Sequence, residues 1–296
     1  MSFKKEMSNL RKRKNKIYKK IPWKLELKDN MIKFYDKHKI KHPKVYKIFN
    51  NIEDLKSIIL NLPNEFVLKP TTEFSSNGVM VLKKSNENLY FEFFLEKYFS
   101  LNEIIDYQKN LQNIYSNRKN RPKHKQNNYK FIIDEKIYNI YNDFFIPCDY
   151  KCFTFYGEMI LVVKKKNGNK TYKTCWYDKY GNYIPHYKIL NKKYNKITEQ
   201  LEFKKIKYFE DMKKIAEYIS KIYKLPFCRI DFFINKEGVY VGEFGYIVGG
   251  KAGGHEIFNN KYDKILGEKW LKKEKFLNKY YKIIKYLKNK KNKIYN

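Results

Sequence analysis

Alternating hydrophobic and polar positions predict several β-strands joined by tight turns. The pattern is clearest over residues 228–245, where Val, Ile, Tyr and Phe fill two arms on either side of Lys236-Glu237-Gly238. Because glycine accepts a left-handed backbone, this segment predicts a β-hairpin with a three-residue turn. The same pattern predicts strands over Glu65–Lys69, Gly78–Lys83 and Tyr129–Ile133, and a second hairpin over Asp149–Lys164.

Apolar residues three or four positions apart predict helices between these strands. Because helices and hairpins alternate irregularly, we predict an α+β fold in two lobes. The predicted helices lie over Ile52–Leu60, over 86–116 as two helices broken near Ser100, around Met212, Ile215, Ile219 and Ile222, and from about Leu266 to Leu287.

The hairpin at 228–245 gathers charged side chains on one face. Pairing Asn235 with Val239 across the turn places Asp231 directly opposite Glu243, with Arg229 on the same face. Two adjacent carboxylates repel each other, so this pair favours a site for a divalent cation. A half-exposed hairpin whose charges simply face water explains the segment equally well. The opposite, apolar face is predicted to contain Ile230, Phe232, Ile234, Tyr240 and Phe244.

Two lysines at strand ends are candidates for phosphate binding. Lys69 ends an apolar strand, and the small residues of the loop Ser75-Ser76-Asn77-Gly78 allow backbone N–H groups to approach a phosphate closely. Lys151 shares a strand face with Asp149, and a buried ammonium requires an anionic partner. The alternative interpretation is that either lysine is simply exposed to water and binds no phosphate. A third segment, Ile132–Ile137, runs from an apolar strand into an acidic turn.

Composition narrows the class of protein. The chain has 296 residues, 43% of them hydrophobic, which is enough for a sizeable core. Its net charge of +33 favours anionic partners such as phosphates, nucleic acids, glycans or acidic membrane surfaces. The excess is mostly lysine and is spread over the whole chain, so it reflects either compositional drift or a functional surface for an anionic polymer.

Cysteine spacing and hydropathy exclude further classes. The cysteines have no CxxC spacing and no neighbouring histidine cluster, which argues against a zinc site and favours buried free thiols. No apolar run approaches the ~20 residues needed to span a bilayer, and no signal-peptide core follows the basic N-terminus. We therefore expect a soluble cytoplasmic protein in a reducing compartment. The cysteines are Cys148, Cys152, Cys175 and Cys228.

Taken in order, these segments resemble the ATP-grasp superfamily, most closely the TupA-like branch of teichuronopeptide synthesis. The resemblance covers roughly residues 35–272. Its matching pieces are Phe-Val-Leu-Lys-Pro, Ser-Ser-Asn-Gly-Val, Asp-Glu-Lys-Ile, Asp-Tyr-Lys-Cys-Phe-Thr-Phe-Tyr-Gly-Glu, Pro-Phe-Cys-Arg-Ile-Asp-Phe-Phe, Val-Gly-Glu-Phe and Tyr-Asp-Lys-Ile-Leu-Gly.

The resemblance implies an ATP-grasp fold in which two α+β subdomains hold ATP and Mg²⁺. It implies a basic N-terminal region at 1–62, a smaller lid subdomain at 63–137 and a larger catalytic subdomain at 138–296. Asp231 and Glu243 are then the metal ligands, and Arg229 stabilises the transferred phosphoryl group. The implied ATP-binding residues are Lys69, Ser75, Ser76, Asn77, Gly78, Glu135, Lys136, Ile137, Asp149 and Lys151, with 135–137 as the adenine hinge.

The implied activity is an ADP-forming ligase that joins a carboxylate, through an acyl phosphate, to an amine. Its substrates are small or polymer-linked, as in polysaccharide or peptide-polymer modification, with Gly253, Gly254 and His255 as substrate-binding candidates. A kinase acting on a glycan or small molecule, and a degenerate scaffold that binds nucleic acid, are the alternatives. One departure from the family is Gly245, where many members carry asparagine.

Overall fold

Two β-sheets, each with its own hydrophobic core, make up the computed structural model of this protein. The structure describes residues 2–12, 22–73, 76–117, 128–140, 146–166, 172–222, 226–248 and 256–270. No helix within these ranges combines the length and apolar character that crossing a membrane requires.

The first sheet is antiparallel and has the strand order β1-β6-β2-β3-β4-β5. Phe66, Leu68 and Ile133 contribute to its core, against which Ile104 of a long helix packs. The strands are β1 (Val45–Phe49), β2 (Glu65–Pro70), β3 (Met80–Asn86), β4 (Leu89–Glu92), β5 (Lys97–Ser100) and β6 (Phe131–Glu135).

The second sheet has the order β10-β9-β8-β7-β12-β13, with β11 parallel to β9. Its core contains a cluster of aromatic rings that includes Phe3, Phe153, Phe227 and Trp270. The strands are β7 (Asp149–Phe155), β8 (Glu158–Lys165), β9 (Tyr172–Asp178), β10 (Tyr183–Ile184), β11 (Thr198–Gln200), β12 (Cys228–Asn235) and β13 (Gly238–Gly245).

The helices follow the apolar spacing of the sequence. The predicted helix around Met212 is confirmed, since its apolar stripe packs Met212, Ala216 and Ile219 into the second core. The α-helices are α1 (Phe3–Arg11), α2 (Lys28–Lys37), α3 (Leu55–Ile58), α4 (Leu101–Ser116), α5 (His186–Ile189), α6 (Lys192–Ile197), α7 (Phe209–Ile222) and α8 (260–270); 3-10 turns span Trp23–Glu26, Ile52–Asp54 and Ile59–Asn61.

The first of the two helices predicted across 86–116 is wrong. That half forms the hairpin β4–β5 at the edge of the first sheet, because its apolar residues are also compatible with pairing to β3. The predicted break at Ser100 is the start of α4. There Ser100 Oγ accepts from the N–H of Glu103 at 3.3 Å, and Glu103 Oε2 accepts from the N–H of Ser100 at 2.7 Å, which forms a capping box.

The hairpin β12–β13 has the predicted pairing at its charged end but a different turn. Asn235 pairs with Gly238, not Val239, because Asn235 Oδ1 accepts from the N–H of Glu237 at 2.8 Å and closes a two-residue loop. A bulge at Gly242 restores the register, so Asp231 is paired with Glu243 as predicted.

The shorter turn also changes the apolar face predicted between the turn and the bulge. Tyr240 pairs with Phe233, whereas Ile234 pairs with Val239 and lies on the other face of the sheet. The assignment of Tyr240 to the face of Ile234 is therefore wrong. The Tyr240 hydroxyl donates to Glu237, and Lys41 Nζ lies 4.2 Å from the centroid of the Tyr240 ring.

The ranges 1–62, 63–137 and 138–296 remain a prediction as domains. Within the first range, β1 joins the first sheet, whereas Phe3 and Phe34 of α1 and α2 pack into the core of the second. All four cysteines are buried free thiols, as expected. Three sequence predictions lie wholly or partly outside the described residues: the glycine-rich loop Gly249–Gly254, residues 118–127 of the polar, basic loop Ser116–Lys130, and the part of the helix Leu266–Leu287 beyond 270.

Candidate functional site

Three charged side chains lie in one row across adjacent strands of the second sheet. On β12, Asp231 is paired with Lys151 of β7 on one side and with Glu243 of β13 on the other. Directly paired residues point to the same face of a sheet. The row Lys151–Asp231–Glu243 is therefore fixed by strand register.

Asp231 is bound by two cations. Lys151 Nζ donates to Asp231 Oδ2 at 2.6 Å. Arg229 donates from Nε to Oδ1 at 2.7 Å and from Nη2 to Oδ2 at 2.8 Å, which makes a bidentate pair. Burial alone would raise the pKa of Asp231, but Arg229 and Lys151 lower it below its ordinary value. Asp231 is therefore a buried, ionised carboxylate.

Lys151 has a second anionic partner. Its Nζ donates to Asp149 Oδ2 at 2.8 Å. Burial disfavours the charged ammonium, yet Asp149 and Asp231 together raise the pKa of Lys151 above its ordinary value. The buried ammonium predicted from the sequence therefore has anionic partners, and its alternative as a solvated edge lysine is wrong.

Glu243 is the accessible member of the row. Its side chain is 37% exposed, whereas that of Asp231 is 5% exposed. Arg229 Nη2 lies 3.8 Å from Glu243 Oε1, which is ion-pair distance but too long for a hydrogen bond. Glu243 therefore offers carboxylate oxygens to a cation arriving from solvent.

In the first sheet, Lys69 pairs with a carboxylate that the sequence reasoning did not single out. Lys69 Nζ contacts Asp134 Oδ2. Burial raises the pKa of Asp134, and Lys69 offsets part of that effect. Asp134 Oδ1 is buried with no hydrogen-bond partner in the described structure. The available signal was an acidic residue inside the apolar run Phe131–Glu135, which requires a cationic partner.

The loop after β2 is fixed where it rejoins the sheet. Gly78 has φ +73°, a conformation that favours glycine, and its carbonyl accepts from Nε2 of the buried Gln108 at 2.8 Å. Ser76 also has a positive φ of 62°, and Asn77 follows it in the turn. Ser75 lies outside the described residues, as do Gly253, Gly254 and His255.

Hydrogen bonds to Lys44 and Glu65 hold the segment 135–137, the proposed hinge. The N–H of Glu135 donates to Lys44 O at 2.8 Å, and Glu135 Oε2 accepts from the N–H of Lys44 at 3.1 Å. Lys136 Nζ donates to Glu65 Oε2 at 2.7 Å, so its side chain is directed to Glu65. Ile137 is buried.

The chain segment before β1 forms hydrogen bonds with both groups of candidate residues. Lys41 O accepts from the N–H of Val241 on β13 at 2.9 Å, and Lys44 O accepts from the N–H of Glu135. The short segment from Lys41 to Lys44 therefore binds both the hairpin that carries Glu243 and the segment proposed as the hinge.

Residues 8–271 match the family model described as TupA-like ATPgrasp. The chain belongs to this family, and its α+β architecture of two sheets is an ATP-grasp fold, as the sequence predicted. No curated protein matches it significantly.

Solved ATP-grasp ligases are similar at low sequence identity. D-alanine–D-alanine ligase from Bacillus anthracis aligns at 14% identity and TM-score 0.49, covering 86% of this chain and 68% of the ligase. L-amino acid ligase from Bacillus licheniformis aligns at 14% identity and TM-score 0.44, covering 76% and 43%. The ATP-grasp ligase PsnB, complexed with Mg and ADP, aligns at 9% identity and TM-score 0.40, covering 83% and 58%. The chain spans less than two thirds of the latter two proteins.

Proposed function

We propose that this protein is an ATP- and Mg²⁺-dependent ligase that joins a carboxylate to an amine and releases ADP and phosphate. The observation that supports this most directly is the row Lys151–Asp231–Glu243 with Arg229 on Asp231. It places anionic and cationic groups side by side, as transfer of a phosphoryl group requires. Family membership is consistent with that chemistry.

The carboxylates fit Mg²⁺. This ion is usually bound through one or two carboxylates together with substrate phosphates, so Asp231 and Glu243 are a sufficient protein contribution. No cluster of three His, Cys, Asp or Glu side chains suited to a metal occurs within the described ranges. Bound Mg²⁺ supplies charge neutralisation at the phosphates.

Lysine and arginine side chains neutralise the remaining negative charge of the phosphates. Lys69 and Lys151 bind the phosphates, assisted by the loop that ends at Gly78, and Asp149 holds the Lys151 ammonium in place. Arg229 stabilises negative charge on the group in transfer. The adenine lies against residues 135–137. The ranges 63–137 and 138–296 act as lid and catalytic subdomains.

The substrate carboxylate attacks the γ-phosphorus of ATP, and ADP leaves. The amine then attacks the carbonyl carbon of the acyl phosphate, loses a proton and expels phosphate to leave an amide. No side-chain nucleophile is required. The +33 charge favours an acidic substrate, such as an acidic polysaccharide or peptide polymer, and Gly253, Gly254 and His255 remain the sequence-based candidates for binding it. We also propose a cytoplasmic location.

The test is ADP release with Mg-ATP over a panel of amino acids, uronic acids and acidic glycan fragments, with mass detection of products. Asp231→Asn and Glu243→Gln should each lower turnover by about 100-fold or more, because each removes charge from the metal site. Asp211→Asn, on the exposed side of α7, is the matched control and should keep full turnover.

The outcomes separate the alternatives. A phosphorylated product without an amide identifies a kinase. Tight, salt-sensitive binding of oligonucleotides that is indifferent to Asp231→Asn identifies a nucleic-acid-binding scaffold. Full turnover in both carboxylate variants contradicts the metal assignment.

A further inference from the structure

Helix α2 begins at the strand end that carries Lys69. Lys28 Nζ donates to Pro70 O at 3.1 Å and to Glu73 O at 2.5 Å. The N–H of Lys28 donates to Thr71 O at 3.1 Å. The first residue of the helix therefore binds three backbone carbonyls in the four residues that follow Lys69.

A second contact fixes the same end of the helix. Asp29 Oδ2 accepts from Lys130 Nζ at 3.0 Å, and Lys130 O accepts from the N–H of Thr71 at 2.8 Å. Thr71 Oγ1 also donates to Asn128 O at 3.0 Å. Because Thr71 is fully buried, this part of the chain has no solvent to replace these bonds.

The other end of α2 packs on the hairpin that carries the carboxylates. The ring centroids of Phe34 and Tyr35 lie 5.9 and 6.1 Å from that of Phe244. Phe244 follows Glu243 directly and is paired with Ile230, which lies between Arg229 and Asp231. A helix rises ~1.5 Å per residue, so Lys28 and Tyr35 are roughly 10 Å apart along a rigid element.

We propose that Lys28 is a positioning residue that acts through α2 to set the spacing between Lys69 and the Asp231–Glu243 pair. This inference rests on the proposed function, in which one Mg-nucleotide contacts both groups. A nucleotide bound from two sides needs those sides at a fixed distance, and an error of ~1 Å at such a site is costly. Since the two groups lie in different sheets, a helix attached to both maintains their separation.

The experiment measures the affinity of the full chain for Mg²⁺ with the non-hydrolysable analogue AMP-PNP by calorimetry, together with the thermal midpoint. Lys28→Met should weaken binding about tenfold or more. Lys28→Arg retains a cationic donor and should restore most of the affinity. Lys33→Met removes the same charge from an exposed position on α2 and should stay within about twofold of wild type.

A Lys28→Met protein that binds AMP-PNP as wild type does, even with a lowered midpoint, overturns the inference, because the residue is then only structural. Should Lys28→Met fail to fold, Asp29→Asn removes the ion pair to Lys130 and must weaken AMP-PNP binding in its place. Unchanged binding in that variant also overturns it. If wild type itself does not bind AMP-PNP, the proposed function fails and this inference fails with it.

Discussion

Asp231 and Glu243 are directly paired across β12 and β13 although the turn that joins these strands is one residue shorter than the sequence pattern predicts. The bulge at Gly242 takes up the extra residue on β13. Without it, a one-residue shift would turn Glu243 to the opposite face of the sheet. The carboxylate pair therefore depends on a backbone irregularity several residues from the turn.

Gly242→Ala tests the bulge. A Cβ at this position would lie 2.9 Å from Phe233 Cε2 and 3.4 Å from Asp231 O, so the ring or the strand must shift. We expect a loss of about 1–3 kcal/mol in the free energy of unfolding, together with weaker Mg-AMP-PNP binding. Denaturant unfolding and calorimetry measure the two effects.

Gly245→Ala is the matched control on the same strand, because its Cβ would meet only Ile247 O at 3.8 Å. It should leave both stability and binding near wild type. A Gly242→Ala protein as stable as Gly245→Ala would show that the close approach to Phe233 does not matter.

The lowered pKa of Asp231 predicts an acid-sensitive contribution to stability. Although burial opposes it, Arg229 and Lys151 bring the pKa below the ordinary value of 3.8, so the unfolded chain takes up the proton first. The contribution of Asp231 to the free energy of unfolding is complete above pH 3.8, and it is lost as pH falls through the lower pKa of the folded protein. Each unit of lowering amounts to about 1.4 kcal/mol.

Denaturant unfolding from roughly pH 6 to pH 2 checks this for wild type and Asp231→Asn. The stability difference between the two proteins should shrink as pH falls below 3.8. A constant difference for Asp231→Asn would contradict the ionised pair.

Tyr138 predicts a second measurable titration, next to the proposed hinge. Its hydroxyl donates to Glu65 Oε2 at 2.7 Å, and this bond, with some burial, raises the pKa of Tyr138 to about 12. Carbon NMR of tyrosine-labelled protein should show this phenol protonated well above pH 10, assigned by its loss in Tyr138→Phe. Glu65→Gln should bring the pKa back towards 10. A titration midpoint already near pH 10 in the wild-type protein would show that the hydrogen bond to Glu65 does not raise the pKa of Tyr138.

Local patterns were sufficient where the relevant contacts are between neighbours in sequence. The hairpin at 149–164, the strands of the hairpin at 228–245 and the helix around Met212 depend on alternation and apolar spacing, which a short segment contains. The same patterns could not separate a helix from the edge hairpin β4–β5. Pairing to β3 decided that case, and β3 lies outside the segment.

The sequence by itself determined the ATP-grasp class, because the order of the motifs is present in the chain itself. The pairing of Asp231 with Glu243 agrees with the sequence pattern only because the bulge at Gly242 offsets the shorter turn. Only the tertiary structure decided that Lys69 meets Asp134, that Lys151 joins Asp149 to Asp231, and that α2 binds both Pro70 and Phe244. Each of these contacts joins residues distant in the chain, and they form because burying a charge or an aromatic ring requires a partner that only the packed sheets provide.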